Sequence, residues 1–220
     1  MKRISLIVPC LNEEEAIPAF KQEIDRVFKE CLEGYAPELI FVDDGSTDRS
    51  LEMIKKMAEH SPEVKFISFS RNFGKEAAIY AGLEAATGDY AAVMDVDLQD
   101  PPSLLPDMLK AIEKEGYDCA GTRRVTRQGE PLLRSFFARA FYKTIHQISD
   151  TRIVDGARDY KLMTRPVLEA LLSLKEYNRF SKGLYEWVGF RTKWFEYENV
   201  ERVAGETKWS FFCLLYTSPS

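Results

Sequence analysis

Tyr90-Ala91-Ala92-Val93-Met94-Asp95-Val96-Asp97-Leu98-Gln99-Asp100-Pro101-Pro102 is the stretch of this 220-residue chain that decides its fold. Five apolar residues run without alternation and then meet a row of acids. An uninterrupted apolar run of this length is the pattern of a strand buried on both faces, as in a parallel sheet. Asp95 and Asp97 are two residues apart, so an extended backbone would send both carboxylates to the same side. There they could share one divalent cation, and all-oxygen ligation favours Mg2+ or Mn2+ over zinc. Pro101-Pro102 makes a stiff turn just beyond them. The competing reading of the acids is as turn formers and helix caps.

Working outward, the same signature recurs. Ile4–Pro9, Leu39–Val42, Val64–Phe69 and Tyr117–Gly121 read as further strands. Helical segments separate them. Asn12 is placed to cap a helix with Glu13, Glu14 and Glu15 in its first turn, where acids meet the positive end of the dipole. Ser46 or Thr47 is placed to cap another through Leu51, Ile54 and Met57. Gly74 to Ala86 is an Ala-rich helix that stops at Gly88. Strands alternating with helices imply βαβ units, hence an α/β fold with a mostly parallel central sheet flanked by helices. After Arg152 the alternation is less clean. Pro166–Leu174 reads as a helix, Phe190–Tyr197 as a strand and Glu201–Lys208 as a polar loop. In open α/β sheets ligands bind beyond the carboxyl ends of the strands, where Asp43-Asp44 and Asp95-x-Asp97 both fall. Carboxylates crowded at one edge repel, and a bound cation relieves that repulsion.

Composition narrows the function. The net charge is −5, with 45% hydrophobic and 30% charged residues. No overall basic field draws in a polyanion, so nucleic acid is not expected as a partner. The four cysteines form no CxxC pair and there are two histidines, which disfavours a disulfide framework or a zinc centre and fits a reducing compartment. No apolar stretch approaches the ~18 residues of a membrane-spanning helix. Charge is uneven, however. From Gly121 to Arg152 seven cations face two anions, a net of +5, which leaves −10 for the rest. Within that block, residues 131–148 mix Arg134, Arg139 and Lys143 with Phe136, Phe137, Phe141 and Tyr142. This mixture suits either a membrane-surface helix or a solvated basic face over buried aromatics. GxGxxG, GxxxxGK[ST] and GxSxG are all missing, so nicotinamide, P-loop and α/β-hydrolase chemistries lose support.

Several segments together resemble glycosyltransferase family 2. They are Val8-Pro9-Cys10-Leu11-Asn12-Glu13-Glu14, Val42-Asp43-Asp44-Gly45-Ser46-Thr47-Asp48, Arg71-Asn72-Phe73-Gly74-Lys75-Glu76-Ala77-Ala78 and Asp95-Val96-Asp97-Leu98-Gln99-Asp100-Pro101-Pro102. Arg123, Arg158-Asp159-Tyr160-Lys161-Leu162-Met163, Arg179-Phe180-x-Lys182-Gly183-Leu184 and Ala204-Gly205-Glu206-Thr207-Lys208-Trp209 narrow the match to the polyprenyl-phosphate group, which contains dolichol-phosphate mannosyltransferase and bacterial undecaprenyl-phosphate glucosyltransferases. The resemblance implies a single GT-A-type, Rossmann-like domain over residues 1–212. Residues 1–120 would hold nucleotide and metal, and 121–212 would face acceptor and membrane.

It also implies roles. Pro9, Leu11, Glu13, Asp43 and Asp44 line the nucleotide site. Asp95, Asp97 and Gln99 form the Mg2+ or Mn2+ and diphosphate site. Arg123, Arg134, Arg202 and Lys208 hold acceptor phosphate and donor diphosphate, with Lys75 and Arg158 as further substrate contacts. Arginine suits this task because its fork binds phosphate oxygens bidentately and keeps its charge when desolvated. The expected donor is a nucleotide-sugar, a UDP-hexose in preference to a GDP-hexose, and the expected acceptor is a polyprenyl phosphate such as undecaprenyl phosphate. That phosphate is largely ionised already, its second pKa being about 6. Direct attack with inversion then needs no base. Asp97 and Arg123 are the expected catalytic groups, with Asp159 orienting the acceptor or sugar and base catalysis its weaker role. The competing functions are transfer to a glycan hydroxyl and a silent sugar-nucleotide-binding, membrane-docking module. A nucleotidyltransferase would carry a Gly-rich N-terminal signature, and the Gln-x-x-Arg-Trp motif of processive synthases is missing. Residues 213–220 do not resemble the family and read as an artificial end. Two transmembrane helices would ordinarily follow the domain and anchor it on the cytoplasmic face of the membrane. Oligomeric state stays open, a homo-oligomer included.

Overall fold

The computed structural model describes residues 1–124, 154, 156–176 and 178–197. Seven strands among them form one sheet: β1 (Lys2–Cys10), β2 (Tyr35–Asp43), β3 (Val64–Ser68), β4 (Tyr90–Val93), β5 (Cys119–Arg124), β6 (Ala157–Thr164) and β7 (Thr192–Tyr197). Their spatial order is β3-β2-β1-β4-β6-β5-β7. The pairs β1–β2, β1–β4, β2–β3 and β5–β7 are parallel, while β6 runs antiparallel between β4 and β5. The described helices are α1 (Ala16–Cys31), α2 (Ser50–His60), α3 (Lys75–Ala85), α4 (Leu105–Glu115), α5 (Arg165–Ser173) and α6 (Ser181–Trp187). None of them is long and apolar enough to cross a membrane.

The expected α/β architecture is present, and the apolar runs explain why. Leu6, Ile7 and Val8 of β1 are all fully buried, although successive side chains point to opposite faces. Both faces of the sheet are therefore covered. On one, Leu6 and Phe41 pack with Phe20 and Ile24 of α1 and Met108 and Leu109 of α4. On the other, Ile7 and Val42 pack with Ile79 and Leu83 of α3 and Val167 and Leu168 of α5. The small residues of α3 allow it to lie close. A Cβ on Gly82 would come within 2.3 Å of the Ile7 Cγ2 atom, so this position admits only glycine without displacement of the Ile7 side chain.

Two helix starts differ from expectation. Asn12 does not cap α1, which begins four residues later. Asn12 instead takes a left-handed backbone with φ 54°. Its Oδ1 accepts the Thr47 N–H at 2.7 Å and the Asp48 N–H at 3.4 Å. Likewise α2 starts at Ser50, whose N–H donates to Asp48 Oδ1 at 2.9 Å, so Asp48 and not Ser46 or Thr47 is the local acceptor. Ser46 is otherwise engaged, its Oγ accepting the Asn12 N–H at 2.9 Å. The loops after β1 and β2 thus lace to each other. Tertiary hydrogen bonds have claimed the side chains that local propensity would assign to capping.

Candidate active site

Sheet register brings the acids together. The parallel pairing sets Cys10 beside Asp43 and Ile7 beside Val93. The ends of β1, β2 and β4 therefore share one edge. Strand β6 reaches the same edge from the opposite direction, with Val93 opposite Lys161. The pairing ends there, and Asp95 and Asp159 each lie two residues beyond it on their own chain segments. Lys75, at the first turn of α3, lies between them. Its Nζ is 2.6 Å from Asp95 Oδ1 and 2.5 Å from Asp159 Oδ2. Lys182 of α6 approaches the other Asp159 oxygen at 3.7 Å.

The electrostatics of this cluster are set by burial against pairing. Burial alone would lower the Lys75 pKa, but Asp95 and Asp159 outweigh it and raise the pKa further. Burial would push the Asp159 carboxyl up, yet Lys75, Lys182 and Arg158 hold it well below the usual carboxylate range. Both groups are charged across the neutral range. A carboxylate held so far down is a weak proton acceptor, because a general base works best with a pKa near the operating pH.

The three acids beyond β4 lie in different surroundings. The strand ends at Val93, so Asp95 lies beyond the sheet ladder and Asp97 in the turn that follows, not together on one strand. Leu98 has φ 57°, and the Gln99 N–H donates to Asp97 Oδ1 at 3.2 Å. Gln99 itself is partly exposed. Asp100 is buried and receives Arg158 Nε at 3.1 Å and the Tyr197 hydroxyl. Burial pushes its pKa up, against the pull of Arg158. Asp43 and Asp44 hold the backbone of two different loops. Asp43 Oδ1 accepts the Ser46 N–H at 3.2 Å, and Asp44 accepts the Phe73 and Gly74 N–H groups at 2.7 and 2.9 Å. Asp43 thus serves its own turn, whereas Asp44 ties the end of β2 to the loop before α3. The Asp44 N–H donates to the Cys10 carbonyl at 2.9 Å, which closes the β1 and β2 ends against each other. Pro9, Leu11 and Glu13 flank that junction, each partly buried.

Among the expected cations, Arg123 on β5 pairs with Glu196 of β7, and Arg158 faces Asp100. Arg134, Arg202 and Lys208 lie outside the described residues, as do the basic aromatic segment 131–148, the loop 201–208 and residues 213–220. Several further groups take part in this edge or pack beside it. Lys182 lies in the quoted Arg179-Phe180-x-Lys182-Gly183 motif, which was the available signal. Glu76 holds the start of α6, accepting the Ser181 N–H at 3.1 Å and the Ser181 Oγ at 2.5 Å. Lys161 is buried between the Tyr185 and Trp194 rings, 4.4 and 4.9 Å from their centroids. Burial lowers its pKa. A small cavity beside it is lined by Arg158, Lys182, Tyr185, Glu186 and Trp194.

The donor chemistry for a metal can be judged from the residues present. No cluster of three or more His, Cys, Asp or Glu suited to a cation occurs among the described residues, so an all-protein cage is not formed there. Asp95 and Asp97 offer two hard carboxylates just beyond the carboxyl end of β4. Mg2+ is commonly held in this way, by one or two carboxylates with substrate phosphates and water supplying the rest. The residues fit that kind of site.

Residues 5–172 match the family described as Glycosyl transferase family 2. CsbB of Bacillus subtilis (strain 168) is 44% identical over 211 residues, covering 96% of this chain and 63% of its own. The bactoprenol glucosyl transferase of Shigella phage SfV is 42% identical over 208 residues, covering 94% of this chain and 67% of its own. The prophage bactoprenol glucosyl transferase homolog of Escherichia coli (strain K12) matches at 42% over the same shares. The chain thus spans about two thirds of the length of these curated relatives. Among solved structures, the mannosyltransferase PcManGT of Pyrobaculum calidifontis, in complex with GDP-Man and Mn2+, superposes with a TM-score of 0.60 at 20% identity, over 92% of this chain and 57% of that one. Glucosyl-3-phosphoglycerate synthase of Mycobacterium tuberculosis, in complex with Mn2+, UDP-Glc and phosphoglyceric acid, gives 0.59 at 21%, over 93% of this chain and 73% of that one. At these identities the likeness concerns the fold, a GT-A-type mixed sheet flanked by helices.

Proposed function

Because the chain belongs to glycosyltransferase family 2, we propose that it transfers a hexose from a nucleotide-sugar, UDP-glucose in the first instance, to a polyprenyl phosphate. The observation that carries this reading is the gathering of Asp95, Asp159 and Lys75 at one sheet edge, with Asp97 two residues beyond Asp95. The names of the bactoprenol glucosyl transferase relatives support the choice of sugar and acceptor.

Asp95 and Asp97, with Gln99 beside them, would hold Mg2+ or Mn2+. A bound divalent ion supplies Lewis-acid stabilisation of the departing nucleoside diphosphate. The remaining work falls to the chain itself. Pro9, Leu11 and Glu13 flank the β1–β2 junction that receives the nucleotide, and Asp43 and Asp44 keep that junction folded. Arg123, with Arg134, Arg202 and Lys208, neutralises the two phosphate groups that must approach each other. Asp159 stays ionised and orients the acceptor or the sugar. The attacking oxygen belongs to a phosphate that is already ionised, so inversion proceeds without proton removal by the protein. So greasy an acceptor implies work at a membrane surface, and a nucleotide-sugar donor implies its cytoplasmic face.

A donor screen tests the proposal. The protein is offered UDP-glucose, UDP-galactose and GDP-mannose, each with undecaprenyl phosphate or with undecaprenol. Product with the phosphate and none with the alcohol is the expected result. Product with the alcohol, or with a soluble glycan alone, would favour the hydroxyl-acceptor alternative.

A further inference from the structure

The carboxylate nearest the proposed metal site already has a cation. Lys75 Nζ sits 2.6 Å from Asp95 and 2.5 Å from Asp159, and these two carboxylates come from different strands. One ammonium therefore joins the expected metal ligand to the expected orienting group. A divalent ion cannot draw on the full charge of Asp95 while that charge is shared with an ammonium at contact distance. Asp159 offers the ammonium a second partner, and Lys75 is anchored in the first turn of α3, so a small swing of its long side chain is enough to leave one oxygen and keep the other.

We propose that Lys75 is an exchange partner for the divalent cation: it competes for Asp95 and is handed over to Asp159 when the cation binds. The inference rests on the metal site proposed above. Its consequence is a link between that site and the orienting carboxylate. Occupation of Asp95 strengthens the Lys75 hold on Asp159, which fixes the group that faces the acceptor. Lys182, 3.7 Å from the other Asp159 oxygen, keeps that carboxylate compensated throughout. Lys75 is in this account a positioning residue.

The exchange predicts opposite signs for two substitutions that both remove a charge. Binding of Mn2+ alone is measured by the electron paramagnetic resonance of the free ion, on the full chain. Lys75→Met leaves Asp95 unshared and should tighten Mn2+ by about tenfold, within the usual span of coupling between sites. Asp159→Asn commits the ammonium to Asp95 and should weaken Mn2+ by about fivefold. In the double variant Lys75→Met/Asp159→Asn the second change should have under about twofold effect, since its messenger is gone. Lys75→Gln carries the same expectation should the Met variant fold poorly. The exchange is overturned if removal of Lys75 does not tighten Mn2+. It is equally overturned if Asp159→Asn weakens it by the same factor in both backgrounds, which would be field strength at a distance and not a handover. Asp97→Ala separates this from failure of the site itself. If Asp97→Ala abolishes Mn2+ binding while Lys75→Met changes nothing, the site stands and the exchange falls. If Asp97→Ala has no effect, both fall.

Discussion

Asp97 and Asp159 have distinct tasks in this account, and each can be tested separately. Asp97 is 9% exposed and tied into its own turn by the Gln99 N–H, so its truncation leaves the strand intact. Asp97→Ala should lower metal-dependent kcat by ~10²–10³-fold, the scale seen when one electrostatic stabiliser of a transition state is lost. A steady-state assay against Mn2+ concentration reads it. Asp159→Asn keeps the shape and removes the charge that holds Lys75 and Lys182. The expected loss in kcat/KM is about 10²-fold, the cost of a misplaced reactant. An undiminished rate would remove Asp159 from the reaction. These residues were only partly legible beforehand. Asp95 and Asp97 stand out because two acids follow an apolar run at close spacing. The bridge from Lys75 to Asp159 joins positions 84 apart, and only the folded placement of the α3 start beside β6 shows that they meet. Asp43 and Asp44 look equally open to ligand in the sequence, yet Asp43 accepts the Ser46 N–H of its own turn and Asp44 accepts the Phe73 and Gly74 N–H groups of the loop before α3.

Among the elements, the strand and helix alternation up to β5 is readable because buried parallel strands carry unbroken apolar runs. Strand β6 is not legible in the sequence for a physical reason. It carries Arg158, Asp159 and Lys161 among Tyr160, Leu162 and Met163, and its charges are compensated by partners far away in sequence. No local pattern announces a buried strand of that composition. The helix starts differ from the expected ones for a related reason, since Asn12 and Ser46 are spent on loop-to-loop hydrogen bonds. Packing between elements makes its own prediction. The Gly82 backbone lies against Ile7, where a Cβ would approach to 2.3 Å. Gly82→Ala should therefore destabilise the fold by about 1–3 kcal/mol, the usual cost of overpacking. Urea unfolding measures it, and Gly34→Ala is not an equivalent control because Gly34 has φ 91°. An unchanged midpoint would mean that α3 is less closely seated than described.

For the whole molecule, charge buried between strands shapes the response to acid. Glu38 of β2 is 2% exposed. Lys65 of β3 donates to it at 2.6 Å, Thr87 donates twice at 2.9 and 2.6 Å, and Ser5 of β1 adds a further bond. Burial pushes its pKa up, but these donors prevail and hold it at about 2. Its value in the unfolded chain is about 4.3. A depressed carboxylate stabilises the fold above the unfolded value, and that contribution is lost as pH falls from there through about 2. Lys65 is half exposed, so solvent screening reduces its share. Glu38→Gln should cost about 1–2 kcal/mol at neutral pH and flatten the acid limb of the unfolding curve. Equal acid sensitivity in the variant and the parent chain would place the loss of stability elsewhere.

The account as a whole turns on carboxylates at the end of β4 serving transfer of a sugar to a lipid phosphate. The most direct test is UDP-[14C]glucose with undecaprenyl phosphate, partitioned between solvent and water, with Mn2+ or with EDTA, using the parent chain and Asp97→Ala. The account predicts label in the organic phase only with Mn2+ and intact Asp97. Label that stays in water under every condition, or that reaches the organic phase undiminished in EDTA, would contradict it.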